Sequence, residues 1–306
     1  MKNTLGLPIA LAALILVFGL SSDYFFSRDT FVAIANDIPA LLVLSVGMTY
    51  VLVIAGIDLS VGSVLALSGG LSAVAMLEWH WAVPAAVAIG LGCGVLCGFI
   101  TGAVSVAWRV SSFIVSLGTL EIARGSAYLV TDSRTAYVGS AIGGLSNPLW
   151  LGISPAFLLA IAIVIVSQVI LSRTVFGRYL IGIGTNEEAM RLAGVDPRPK
   201  KIAVFVLMGA LAALAGLMQI SRLEAADPNA GIGIELQVIA AVVIGGTSLM
   251  GGRGSVINTF FGVLIVAVLE AGLAQVGASD PAKRIITGCV IIAAVLLDVY
   301  RNRKQR

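Results

Sequence analysis

Ten apolar runs of roughly membrane-spanning length dominate this 306-residue chain and constrain its fold more than any other feature. A hydrocarbon layer about 30 Å thick needs roughly 20 helical residues to cross it. Lipid offers the backbone no hydrogen bonds, and the short alternating pattern of barrel strands is missing, so the spans must be helices. The runs lie near residues 5–22, 38–56, 63–78, 82–107, 110–130, 155–172, 202–221, 236–250, 255–274 and 284–300. The sequence therefore predicts an all-α integral membrane protein, a polytopic bundle of about ten helices that forms a single domain over residues 1–306.

The basic residues predict the orientation of the bundle, because cytoplasmic loops collect Lys and Arg. Only 11% of the residues are charged and 58% are hydrophobic, which excludes an ordinary soluble protein and does not suggest a nucleic-acid partner. With both termini in the cytoplasm, thirteen of the 19 basic residues fall inside. They are Lys2, Arg109, Arg173, Arg178, Arg191, Arg198, Lys200, Lys201, Arg253, Arg301, Arg303, Lys304 and Arg306.

The longest basic segment, residues 173–201, is predicted to be a cytoplasmic loop that contains a short capped helix. Thr185 is the expected N-cap, and Glu188 three residues later completes a capping box. Gly194 ends the helix, and Pro197 prevents its continuation. A helix of about two turns is marginal alone in water, so a partner surface or the adjoining spans must hold it. The pattern fits a docking site for a cytoplasmic partner, and it also fits a solvated loop helix.

Several polar side chains interrupt the apolar runs at membrane depth, where they are expensive and must face protein or water. Asp58 and Ser60 lie between glycines in the segment 56–62 and are interpreted either as caps of the following helix or as ligand contacts. Glu121 and Arg124 are three residues apart on one predicted helix, which favours an intramembrane ion pair.

Nothing in the sequence indicates a catalytic site. The glycine-rich segment 245–254 is not a phosphate loop, since Gly251 is followed by Gly252 and Arg253 rather than by Lys and a hydroxyl residue. No metal cluster, nucleophile triad or acidic dyad stands out, so the chain is expected to bind no cofactor and no metal. If the protein uses ATP, another subunit must hydrolyse it.

Four motifs carry a resemblance to a known family. The segment 56–62, Gly-Ile-Asp-Leu-Ser-Val-Gly, resembles the signature of permease subunits of bacterial ribose-type sugar ABC importers. Residues 112–119, 184–195 and 235–254 extend the resemblance over nearly the whole chain.

The resemblance implies a transmembrane permease of the bacterial inner membrane that imports a monosaccharide by alternating access. Such permeases pair with a second permease, contact cytoplasmic ATPases that bind ATP and Mg, and receive sugar from a periplasmic binding protein. It assigns coupling to the ATPase to Thr185, Asn186, Glu187, Glu188, Ala189, Arg191 and Gly194. It assigns the translocation path to Asp58, Ser60, Thr119 and Gln237.

Three questions stay open at this point. An ion-gradient-driven secondary transporter of a small polar solute is the alternative, with Asp58, Glu121, Arg124 and Glu270 as relay groups. Within the importer interpretation, the solute is a pentose, a hexose, a sugar-like signalling molecule or a nucleoside, and a pentose such as ribose is favoured. The second permease is either a copy of this chain or a paralogue.

Overall fold

The computed structural model describes residues 6–22, 24–279, 281–283, 285–290 and 292. Twelve helices are named over this part of the chain. They are α1 (Gly6–Ser21), α2 (Arg28–Asp37), α3 (Pro39–Val53), α4 (Val61–Leu77), α5 (Val83–Ala107), α6 (Ser112–Val130), α7 (Pro155–Arg173), α8 (Val175–Thr185), α9 (Glu187–Leu192), α10 (Arg198–Leu223), α11 (Ile234–Ile244) and α12 (Val256–Gln275). Residues 281–283 and 285–290 are also helical.

The predicted all-α membrane architecture is confirmed at the level of helix type and apolarity. Helices α5, α6, α7, α10 and α12 are each long and apolar enough to cross a membrane. Helices α2 and α3 pass the same test as a pair bent by 49°, whereas α1, α4 and α11 are shorter apolar helices. The run predicted at 236–250 shrinks to the 11 residues of α11, and most of the run at 284–300 lies outside the described residues.

The centre of the bundle is built by close contact between α5 and α10. A Cβ added to Gly94 of α5 would lie 2.4 Å from the carbonyl oxygen of Gly209, and one added to Gly98 would lie 2.2 Å from that of Phe205. Side chains are absent where the two backbones touch, as small residues permit in membranes. The glycine repeat of the fourth apolar run is therefore a packing surface.

Helix α3 is buried along nearly its whole length, and two of its polar side chains find partners inside the bundle. The hydroxyl of Tyr50 donates to the carbonyl oxygen of Ser167 at 2.6 Å. The hydroxyls of Thr49 and Thr259 lie 2.8 Å apart and link α3 to α12. These bonds satisfy groups that hydrocarbon would leave bare.

At the end of α10 remote from α9, a small antiparallel ladder ties the long loop 131–154 to the bundle. Strand β1 (Ala136–Tyr137) pairs with β2 (Ala225–Ala226), with Ala136 opposite Ala226. The hydroxyl of Ser221 donates to the carbonyl oxygen of Ile142 at 2.6 Å. This loop is therefore held against the bundle by its own chain.

Two of the apolar helices, α4 and α11, are short and follow non-helical backbone. Helix α3 ends at Val53, and six non-helical residues precede the N-cap of α4, including Ala55 in the left-handed region with φ 57°. Helix α11 starts just after Gly231 and Gly233, whose φ values are 71° and 85°. The segment before α4 buries Asp58 and Ser60, so protein or water must satisfy its polar groups.

Candidate functional site

Helix α9 is the short helix predicted in the loop 173–201, and its start requires a correction. Asn186, not Thr185, is the N-cap, and its side-chain oxygen accepts from the backbone N–H of Ala189 at 2.9 Å. Thr185 is the last residue of α8, and its hydroxyl donates to the carbonyl oxygen of Ile181 at 2.8 Å. A capping box needs an acid at the third helical position, which is Ala189, so Glu188 does not complete one.

The end of α9 agrees with the prediction from sequence. Gly194 adopts φ 82°, which glycine reaches without strain. Its N–H donates to the carbonyl of Arg191, and the N–H of Val195 donates to that of Met190. This pair of bonds is a Schellman motif and satisfies two terminal carbonyls.

The charged side chains of α9 form a small network on its surface. Glu187 accepts from Lys201 at 3.0 Å and pairs with Arg191 at 3.4 Å, and Arg191 also lies 3.3 Å from Glu188. Beside this network is a cleft of about 360 Å³ whose lining includes Arg109, Arg191 and Arg198. The cleft is rich in positive charge, so it suits an acidic partner surface.

Helix α8, which the sequence analysis did not predict, seats α9 on the transmembrane bundle. Thr174 caps it by accepting from the N–H of Gly177 at 3.2 Å. A Cβ on Gly184 would lie 1.8 Å from the carbonyl oxygen of Val53 and 2.5 Å from the nitrogen of Gly252. The N–H of Gly252 donates to the Val53 carbonyl at 2.9 Å. The end of α8 is thus wedged between the end of α3 and the loop that follows α11.

Two large apolar side chains project from this end of the molecule. Leu192 of α9 is 83% exposed, and Met250 in the loop after α11 is 80% exposed. Their segments meet at the contact between Gly184 and Gly252. Both side chains are therefore accessible to a partner at the end of the molecule that carries α9.

The break before α4 is stabilised by hydrogen bonds to α6. The N–H of Ile57 donates to the hydroxyl of Ser112 at 3.0 Å, and the N–H of Leu59 donates to that of Ser116 at 3.1 Å. Asp58 is only 2% exposed, and its Oδ1 accepts from the N–H and the hydroxyl of Ser60 at 2.9 and 2.6 Å. Asp58 and Ser60 therefore shape the start of α4 from inside the subunit.

The other two residues assigned to the translocation path, Thr119 and Gln237, lie in different environments. Thr119 is 8% exposed, and its hydroxyl lies 2.9 Å from that of Thr101 at the contact between α5 and α6. Gln237 lines a cavity of about 170 Å³ and donates to Glu270 at 2.8 Å. The four assigned residues are thus not gathered into one site within a single subunit.

The cavity around Gln237 contains polar groups that the sequence analysis did not group together. Its lining includes Asn36, Asp37, Gln219 and Arg222, and Asp37 forms an ion pair with Arg222. These residues sit at or near the ends of apolar runs, where polarity alone does not show that four helices converge. The convergence depends on tertiary packing.

The predicted ion pair between Glu121 and Arg124 is not formed. Among the described residues, no salt bridge within 4 Å joins these two side chains; Arg124 donates instead to the carbonyl oxygens of Pro228 and, at 2.9 Å, Ala230. The guanidinium turns towards the loop between α10 and α11, because the backbone entering the bundle there presents unpaired acceptors. Glu121 is left exposed on α6.

Comparisons with known proteins agree with the resemblance of the motifs. The family model described as branched-chain amino acid transport system / permease component matches residues 30–295. The ribose import permease protein RbsC of Haemophilus influenzae is 38% identical over 302 residues, covering 97% of this chain and 93% of the relative.

Two further relatives extend this agreement. The ribose import permease protein RbsC of Escherichia coli (strain K12) is 37% identical over 305 residues, covering 97% of this chain and 93% of the relative. The L-arabinose transport system permease protein AraH of Escherichia coli (strain K12) is 35% identical over 263 residues, covering 85% and 79%. No solved structure matches the chain. The chain therefore belongs to the family of branched-chain amino acid transport system / permease components, as a multi-pass protein of the bacterial inner membrane.

Proposed function

We propose that this chain is the transmembrane permease subunit of an ATP-driven ABC importer that moves a monosaccharide across the inner membrane by alternating access. The observation that carries the proposal is the similarity, over nearly the whole length of both chains, to permeases named for ribose import. A pentose such as ribose is favoured, because the relatives are named for ribose and L-arabinose, and a hexose is the second choice. The chain is a translocation component, not an enzyme.

The proposed topology has ten spans with both termini in the cytoplasm. The basic residues around α8 and α9 support this orientation, since Lys and Arg collect on the cytoplasmic side. The cavity around Gln237 then faces the outside, because it lies towards the ends of α2 and α10 that are remote from α9. The loop 173–201 becomes the coupling loop of a single permease domain.

The proposed partners lie on both sides of the membrane. ABC ATPase subunits that bind ATP and Mg dock on α9, where Leu192, Met250 and the basic cleft are exposed. A periplasmic sugar-binding protein delivers sugar to the outer face, and a second permease, a copy or a paralogue, completes the pore. The lipid bilayer covers the apolar faces.

The wedge at Gly184 provides a mechanical link for alternating access. A movement of α8 and α9 driven by the ATPase must displace the end of α3 and the loop after α11, since packed backbones leave no slack. The end of α3 continues into the break before α4, and the loop after α11 follows the helix that carries Gln237. In this mechanism Gln237 lines the outer part of the path, whereas Asp58, Ser60 and Thr119 maintain the shape of the wall.

The experiment that tests this function is purification of the protein from its native membrane in mild detergent, followed by mass spectrometry of the bound proteins. We expect an ABC ATPase subunit that dissociates when Glu187 and Arg191 are charge-reversed by Glu187→Lys and Arg191→Glu. Arg134→Glu is the matched control, because Arg134 is 82% exposed in the long loop assigned to the outer face.

Retention of a fully coupled ATPase by the charge-reversed variants would remove Glu187 and Arg191 from the coupling surface and leave the importer intact. The outcome that would contradict the importer itself is different. It is a chain that is purified alone and takes up solute in liposomes on an ion gradient without ATP. That result would favour secondary transport, with Glu270 beside Gln237 as the relay group.

A further inference from the structure

The carboxylate of Glu121 is a charged group that the subunit leaves uncovered at membrane depth. Glu121 lies midway along α6, a helix long and apolar enough to span the bilayer, and its residue is exposed. Arg124, the nearest basic residue in sequence, is committed to backbone carbonyls of the loop after α10. A carboxylate is expensive in hydrocarbon, and the side chain is too short to reach the interface from mid-helix. Something other than lipid must therefore face Glu121.

The surface beside Glu121 is open. Gly118 and Gly125 lie three residues before it and four residues after it, so all three share one face of α6. A Cβ added to either glycine would meet no other atom of the described chain within 4 Å. This face has room for a solute or for the approach of another surface.

The loop between α10 and α11 extends this face with further polar groups. Arg124 fixes the carbonyls of Pro228 and Ala230 against α6, and the hydroxyl of Tyr128 donates to the side chain of Asn229 at 2.6 Å. Glu235 is partly exposed at the first turn of α11. The loop is thus fixed against α6 and supplies hydrogen-bonding groups beside Glu121, while Ile114 and Leu117, 60% and 39% exposed, form the apolar part of the same face.

We propose that Glu121 faces a water-filled path between two copies of this chain, and that its carboxylate accepts hydrogen bonds from hydroxyl groups of the passing sugar. A two-fold related copy presents the same face, so the pair hides both carboxylates from lipid and encloses water between them. The identity of the solute rests on the proposed function. The position of the path rests on the exposed carboxylate.

The test is thiol labelling of the complete complex in membranes. Cys93, Cys97 and Cys289 are first replaced by Ala, and Glu121→Cys or Ile122→Cys is then introduced. Ile122 is the matched control, because it is adjacent in the chain and 72% exposed, but points to a different side of α6. Leu117→Cys is a second reporter on the proposed face if Glu121→Cys fails to fold, because Leu117 is 39% exposed, lies four residues before Glu121 and does not share a face with Ile122.

We expect a membrane-impermeant maleimide to modify Glu121→Cys about tenfold faster than Ile122→Cys in the nucleotide-free or the nucleotide-bound state, since water reaches only the path. Ribose under transport conditions is expected to slow the modification of Leu117→Cys, in which the carboxylate of Glu121 is still present. A short bifunctional maleimide is expected to join two Glu121→Cys chains into a dimer, and not two Ile122→Cys chains.

Equal modification of the two variants in both states would overturn the position of the path. If Glu121→Cys is labelled faster than Ile122→Cys but is not cross-linked, a second copy does not face Glu121. If ribose does not slow the labelling, the sugar does not contact this face. ATP-driven ribose uptake by the cysteine-free complex is measured in parallel. ATP-driven uptake with equal labelling of the two variants would remove this inference and leave the proposed function. Faster labelling of Glu121→Cys without ribose uptake would remove the proposed sugar import and leave the position of the path.

Discussion

The start of α9 and the break before α4 use similar side chains but depend on different parts of the chain. Asn186 caps α9 through Ala189, three residues away, and the whole helix is exposed or half-exposed. The break before α4 has one local bond set, from Ser60 to Asp58, but its other N–H groups need Ser112 and Ser116 of α6. The cytoplasmic helix is therefore specified locally, whereas the membrane break exists only when α6 is packed against it.

The largest expected effect is at Gly184, where the end of α8 packs against the end of α3 and connects these two regions. Gly184→Val places side-chain atoms where the Val53 carbonyl already lies, so we expect a loss of about 3 kcal/mol or more in the free energy of unfolding. Thermal unfolding in detergent measures it. Gly92→Ala is the control, since a Cβ there meets nothing within 4 Å. Normal stability of Gly184→Val would show that the contact is not tight.

The second effect is at Asp58, the acidic residue in the break before α4. Asp58→Leu leaves the buried N–H and hydroxyl of Ser60 without their acceptor, which is expected to cost about 3 kcal/mol. Asp58→Asn keeps a side-chain oxygen and should lose much less. Thermal stability and sugar uptake are compared for both variants. A leucine variant with wild-type stability and uptake would remove Asp58 from the architecture of the break.

The third effect tests the hydrogen bonds between α6 and the break before α4. Ser116→Ala removes the acceptor of the Leu59 N–H and is expected to cost about 1–2 kcal/mol. Ser126→Ala, nearer the other end of α6, is the control. Hydrogen exchange at residues 57–60 should rise in the first variant only. Unchanged protection there would mean that α6 does not maintain the break.

The smallest effect separates the two candidate caps of α9. Asn186→Ala is expected to weaken the helix by about 1 kcal/mol, because it removes a side-chain cap. Thr185→Ala should have little effect on α9, since its hydroxyl bonds within α8. The measurement is the ATPase affinity of each variant. A larger loss with Thr185→Ala would restore Thr185 as the functional cap.

The same contrast explains which features could be predicted from the sequence. The apolar runs, the existence of α9 and its stop at Gly194 follow from local composition and capping chemistry. The cap was misplaced by one residue because Thr185 and Asn186 are both good N-caps, and only the extent of α8 decides between them. Helix α8 was missed because its 11 residues are too few to stand out as a membrane-spanning run.

The intramembrane contacts were not predictable in the same way. The spacing of Glu121 and Arg124 fits an ion pair on an isolated helix, but the loop after α10 competes for the guanidinium. The gathering of Asp37, Arg222, Gln237 and Glu270 around one cavity also depends on helices far apart in the chain. Such partners follow from packing, which the local pattern does not contain.

The central claim is that the chain forms the pathway of an ATP-driven sugar importer, and sugar uptake into proteoliposomes tests it most directly. The complete complex is reconstituted with its binding protein outside and ATP with Mg inside, and labelled ribose or arabinose is added. We expect uptake that requires ATP and the binding protein and is abolished by Glu187→Lys together with Arg191→Glu. Uptake that needs only an ion gradient would contradict it.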